Sequence, residues 1–125
     1  MNLENLKSKI ENGSFTVGIL GLGYVGLPLA IEFANANMKV VGFDIDKSKI
    51  DRLSSGETYI LDVDPNDIKK HLSEERISFT DDFSGISKVD ALSICVPTPL
   101  SKSRVPDLSY IVSAMREIEK YCHED

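Results

Sequence analysis

Residues 15–30, FTVGILGLGYVGLPLA, decide the fold: a β-rich apolar run, three glycines spaced G-x-G-x-x-G and the opening of a helix follow one another without a gap. Phe15 to Leu20 is too continuously apolar for a strand with one wet face and suits one buried on both. Gly21 is expected to turn the chain sharply off that strand, Gly23 to let backbone approach a diphosphate with no Cβ in the way, and Gly26 to let the helix lie close to the sheet. From Val25 to Ala36 the pattern is helical. Pro28 is tolerated because first-turn amides have no intrahelical partner, and Asn37 supplies a left-handed stop. The helix start near Tyr24 and Val25 would offer a diphosphate free N–H groups and about half a unit of positive charge.

Outward from this stretch, Lys39 to Phe43 (KVVGF) reads as a second buried strand closed by Asp44. Asp44 lies roughly twenty residues beyond the first glycine, where an acid accepts hydrogen bonds from the hydroxyls of an adenine ribose. A 2′-phosphate would meet that charge directly, which favours NAD over NADP, although Lys47 and Lys49 stand close enough to offset part of the repulsion. The plainer alternative is a tight strand-to-helix turn with Asp44 capping the next helix. Residues 47–53 and 65–72 are expected as helices, 77–80 as a strand, and 58–64 as irregular. Val89 to Val96 is the next strong strand, ended by Pro97-Thr98-Pro99. Leu108, Ile111, Val112, Met115 and Ile118 then repeat at helical spacing behind Pro106 and Asp107, with the acid as N-cap. Before the glycine stretch, Leu3, Leu6 and Ile10 predict a short amphipathic helix within residues 1–14, stopped by Asn12-Gly13.

Strands alternating with helices imply right-handed crossovers and a doubly wound, Rossmann-type parallel α/β sheet over residues 15–125, with the third and fourth strands on the outside. In that order Thr98 follows the strand beside the first and lies across the point where connections reverse direction, where a cofactor must pass.

Composition limits the rest. One domain is all that 125 residues support, and 42% hydrophobic with 27% charged residues is an ordinary folded mixture. A net charge of −6 argues against nucleic acid as a partner, so any phosphate must be held by local backbone geometry. No stretch is apolar enough for a signal peptide or a membrane span, and Cys95 and Cys122 lack metal or disulfide spacing, which reads as cytoplasmic. Cys95 is expected as a buried filler. His71 falls in the polar run Lys69-Lys70-His71, expected on a solvated helix face, and His123 in a polar terminus. Asp62, Asp64 and Asp67 lack the glycine and terminal glutamate of a calcium loop, so no metal is expected.

Gly21 to Ala30 (GLGYVGLPLA), Cys95 to Leu100 (CVPTPL) and Pro106 to Tyr110 (PDLSY) together resemble the N-terminal domain of the UDP-glucose/GDP-mannose dehydrogenase family, and most of all its UDP-N-acetylglucosamine and UDP-N-acetylmannosamine 6-dehydrogenase branch. The resemblance implies a cytoplasmic, NAD-dependent oxidation of a nucleotide-sugar C6 alcohol to a uronate for surface polysaccharide. Two NAD are reduced, and the aldehyde passes through a cysteine thiohemiacetal. It further implies that Tyr24 and Val25 meet the cofactor's diphosphate, Asp44 its adenine ribose and Lys49 the adenine end, with Thr98 also in contact. Neither cysteine here matches the family's catalytic one. By this resemblance the chain is a fragment whose sheet is truncated after the fourth strand and its helix. It would lack the central segment through which relatives form homodimers and the domain that holds the UDP-sugar, and would be inactive alone. A self-contained nucleotide-sensing module, of the kind that gates potassium transport, shares the glycines and the acid but has no reason for the CVPTPL loop.

Overall fold

A computed structural model of the chain describes residues 3–96 and 108–122. The apolar runs form β1 (Thr16–Leu20), β2 (Lys39–Phe43), β3 (Ile77–Thr80) and β4 (Ala91–Ile94). Each neighbouring pair is parallel and the order is β3-β2-β1-β4, so the chain moves outward through β2 and β3, then crosses back to the far side of β1. Helices α1 (Leu3–Asn12), α2 (Gly26–Asn35), α3 (Lys47–Ser54), α4 (Pro65–Ser73) and α5 (Ser109–Tyr121) connect or flank the strands. A 3₁₀ turn at Phe83–Lys88, for which the sequence offers no periodicity, leads into β4.

Strand alternation divides the interior in two. Val17, Ile19 and Val40 point toward α2, α3 and α4, where they join Leu27, Ala30, Leu53 and Ile68. Leu20 and Phe43 point the other way and meet Ile86, Val89 and Ala114 of α5. Both faces of the sheet are therefore covered, which explains why the strands read as unbroken apolar runs. Each fully buried side chain of this kind contributes about 1.5–3 kcal/mol.

Local chemistry sets the ends of the elements. Asn37 adopts a φ of 67°, the expected left-handed stop after α2. Asp46 caps α3 by accepting from Ser48 N–H, Asp64 caps α4 by accepting from Asn66 N–H, and Asp82 caps the 3₁₀ turn by accepting from Ser84 N–H. Hydrogen bonds from the hydroxyls of Ser48 and Ser84 hold the Asp46 and Asp82 carboxyls below the usual carboxylate value. The α1 helix buries no residue; its Lys9 Nζ lies 2.7 Å from Asp90 Oδ1, while Asp90 Oδ2 accepts from Thr16 N–H at 2.9 Å.

The structure departs from the sequence expectations at His71, in the length of β4 and at the start of α5. His71 is buried, only 3% exposed, with Nε2 2.8 Å from Asn35 Oδ1; α4 turns its polar run so that Lys69 and Lys70 face solvent while His71 faces α2. The β4 ladder spans Ala91–Ile94, shorter than residues 89–96, and Asp90 N–H and Cys95 N–H continue bonding to β1 beyond its ends. The N-cap of α5 is Leu108, with no side-chain hydrogen bond, and Asp107 lies outside the described residues.

Candidate functional site

At the C-terminal ends of β1 and β4 the chain directions diverge, and the glycine turn fills the gap. Gly21 N–H donates to the carbonyl of Phe43 at 2.8 Å, joining the turn to the last residue of β2. Gly21 has a φ of 101°, and a Cβ there would stand 2.6 Å from the Cys95 carbonyl oxygen, so only glycine fits between β1 and the exit of β4. At Gly26 a Cβ would lie 1.7 Å from the Gly21 carbonyl oxygen: α2 starts in direct contact with the turn. At Gly23 a Cβ would meet nothing within 4 Å. The three glycines thus divide as the motif requires, two for backbone crowding and one for open space.

The helix begins at Gly26, one residue later than expected, with Val25 in the N-cap position. Among the described residues no side chain caps it, and no acidic side chain stands in its first turn, so the first N–H groups of the helix are without a side-chain acceptor from its own first turn beside the opening at Gly23. Leu27 N–H reaches back to the Gly23 carbonyl at 3.1 Å. Tyr24 and Val25 flank this opening with their side chains 83% and 69% exposed.

Asp44, at the end of β2, is held from both sides. Its Oδ2 accepts from Leu22 N–H at 2.9 Å and its Oδ1 from Asp46 N–H at 2.9 Å. These bonds fix the carboxylate against the glycine turn and separate it from the capping of α3, which belongs to Asp46. Each oxygen keeps a further acceptor position. Leu22 itself is fully buried, its methyls seated over Gly42 of β2, where a Cβ would come within 2.9 Å of Leu22 Cδ2.

Tyr59 and Arg52 were not singled out from the sequence. Tyr59 donates its hydroxyl to the Leu22 carbonyl, and its ring lies under Lys49 Nζ at 5.5 Å and Arg52 Cζ at 5.6 Å. Residues 58–64 have no period to read, so the one usable signal was a tyrosine in a short loop, whose hydroxyl must find a partner when the ring is buried. Lys49, expected at the adenine end, lies over the Tyr59 ring. Thr98 lies outside the described residues.

Burial, and after it the carboxylates of Asp44 and Asp46, push the Tyr59 hydroxyl well above its usual value of 10. The unfolded chain would ionise this group from about pH 10, whereas the folded chain would not; its contribution to stability is complete below that pH and is lost as pH rises above it. Spectrophotometric titration should therefore show one of the four tyrosines ionising only as the protein unfolds in alkali. Four tyrosines titrating together near pH 10 would contradict this packing.

Among the described residues, the open space over Gly23, a helix N-terminus with no side-chain cap and a fixed carboxylate beside them are the complement of a diphosphate next to a ribose, so the residues present fit a dinucleotide. Residues 15–125 match the model of the UDP-glucose/GDP-mannose dehydrogenase family, NAD binding domain. The chain belongs to that family. The UDP-N-acetyl-D-glucosamine 6-dehydrogenase of Pseudomonas aeruginosa is 39% identical to the chain over 104 residues, which make up 83% of the chain and 24% of that protein. The UDP-N-acetyl-D-mannosamine dehydrogenase of Pyrococcus horikoshii is 39% identical, over 82% of the chain and 24% of its own length. Among solved structures, the UDP-D-ManNAc dehydrogenase of Pyrococcus horikoshii superposes with a TM-score of 0.80 at 37% identity, covering 86% of the chain and 26% of its own. The GDP-mannose dehydrogenase ternary complex of Pseudomonas aeruginosa gives 0.79 at 34%, covering 82% and 24%. The chain spans about a quarter of the length of these dehydrogenases.

Proposed function

We propose that the chain is the NAD-holding part of a nucleotide-sugar 6-dehydrogenase that oxidises the C6 alcohol of a UDP-hexose or UDP-N-acetylhexosamine to a uronate. The observation that carries this is Asp44, fixed by Leu22 and Asp46 N–H beside the glycine turn with acceptor capacity to spare. Gly21 and Gly26 would shape the turn; Gly23, Tyr24 and Val25 would meet the diphosphate, Asp44 the adenine ribose, Lys49 the adenine end, and Thr98 the cofactor beyond it. NAD, when bound, supplies the hydride acceptor. We assign neither a catalytic nucleophile nor a metal ligand to this chain. UDP-sugar contacts and dimerisation belong to a whole dehydrogenase of this family, working in the cytoplasm. Among the described residues no helix is long and apolar enough to cross a membrane.

Calorimetric titration of the 125-residue chain should show NAD binding in preference to NADP, because the Asp44 carboxylate would face a 2′-phosphate. Mixed with NAD and UDP-N-acetylglucosamine, the same chain should produce no NADH, since holding a cofactor without positioning an alcohol and a nucleophile gives up most of the rate. Preference for NADP would overturn the role of Asp44, and steady NADH formation would overturn the division of labour.

A further inference from the structure

The Leu22–Gly23 peptide unit is held at both ends of its neighbourhood: Leu22 N–H by Asp44, the Leu22 carbonyl by the Tyr59 hydroxyl, and the Leu22 side chain by its seat on Gly42. No peptide bond in the described structure is cis, so Gly23 N–H points opposite to the Leu22 carbonyl, away from Tyr59. A Cβ on Gly23 would meet nothing within 4 Å among the described residues, so a ligand can come close to the backbone at this residue. A hydrogen bond accepted by a carbonyl polarises its own peptide unit and makes the N–H at the other end a stronger donor. Lys49 and Arg52 over the ring face draw electron density from the phenol and favour its role as donor.

We propose that Tyr59 is a positioning residue for cofactor binding: by donating to the Leu22 carbonyl it fixes and polarises the peptide whose Gly23 N–H grips the diphosphate, so that the loop after α3 tunes the glycine turn from behind. This rests on the dinucleotide reading of the site and adds to it a residue outside the glycine motif and the acid. Because burial keeps the hydroxyl protonated, the donor is present across the physiological pH range.

The test is Tyr59→Phe in the full chain, which removes one oxygen and leaves the ring and its cation contacts. In the ligand-free variant the Gly23 amide proton should move upfield in the NMR spectrum, reporting lost polarisation. Affinity for NAD and for ADP should fall by about fivefold, the size expected for one hydrogen bond, whereas adenosine, which has no phosphate, should bind the variant as it binds the parent. An unmoved Gly23 amide, an unchanged affinity for ADP, or an equal loss for adenosine and ADP would overturn the proposal; the last would mean that Tyr59 only supports the fold. If the variant does not fold, the parent chain decides: a slowly exchanging Tyr59 hydroxyl proton with a cross-peak to the Gly23 Hα protons, which lie on the carbonyl's side of the trans peptide, supports the bond, and a phenol in free exchange overturns it. A parent chain that binds neither NAD nor ADP would remove the cofactor reading and the role assigned here, while the amide shift would still tell whether the bond exists.

Discussion

Asp44→Ala is expected to weaken NAD binding by about tenfold to a hundredfold, the range for hydrogen bonds to a charged acceptor, and to narrow the gap between NAD and NADP. The narrowing follows from charge: without the carboxylate a 2′-phosphate no longer meets a like charge at that position. The same substitution should cost about 2 kcal/mol of stability, because the buried Leu22 N–H loses its acceptor. Paired calorimetric titrations with the two cofactors and urea unfolding of the apo-protein separate these effects. A ratio of affinities that does not change would mean the acid is not on the ribose, even if the protein is less stable.

The glycines should divide sharply under the same change. Gly26→Ala places a Cβ 1.7 Å from the Gly21 carbonyl oxygen, a backbone atom that cannot swing aside, so α2 would have to leave the turn. A loss of more than about 4 kcal/mol, or failure to fold, is expected. Gly23→Ala puts its methyl into open space and should leave stability within about 1 kcal/mol of the parent while reducing NAD affinity at least about tenfold, since the methyl takes up room the diphosphate needs. Circular dichroism on heating distinguishes the first, titration the second. Equal behaviour of the two variants would contradict the assignment of one glycine to packing and one to ligand.

Much of this arrangement was legible in the residues because each relevant signal is local. The β2 run ends at Phe43 by sequence and by structure, so Asp44 arrives at the strand end without tertiary knowledge. The same holds for β3 at Ile77–Thr80 and for the left-handed Asn37. What escaped is decided by contacts between distant segments. His71 looks polar among lysines, yet the direction of α4 turns it toward Asn35, 36 positions away. Tyr59 meets Leu22 across 37 positions from a loop with no period. The start of α2 moved by one residue because Val25, apolar and compatible with the helical pattern, stands at the N-cap, where its neighbours rather than its own propensity decide. Thr98 and the family's CVPTPL loop reach past the described residues, and there the sequence resemblance still carries the assignment alone.

Gly42 has a consequence for assembly as well as for binding. It is the socket that receives Leu22, and any other side chain at that place on β2 would collide with it. If β2 paired two residues out of step, which keeps its faces unchanged, Val40 or Asp44 would stand where Gly42 belongs, and the glycine turn could not settle. A molecule with mispaired strands would therefore lack the anion cradle altogether, and added NAD would draw the population toward the correctly zipped sheet, acting on the folding chain as a selective fastener.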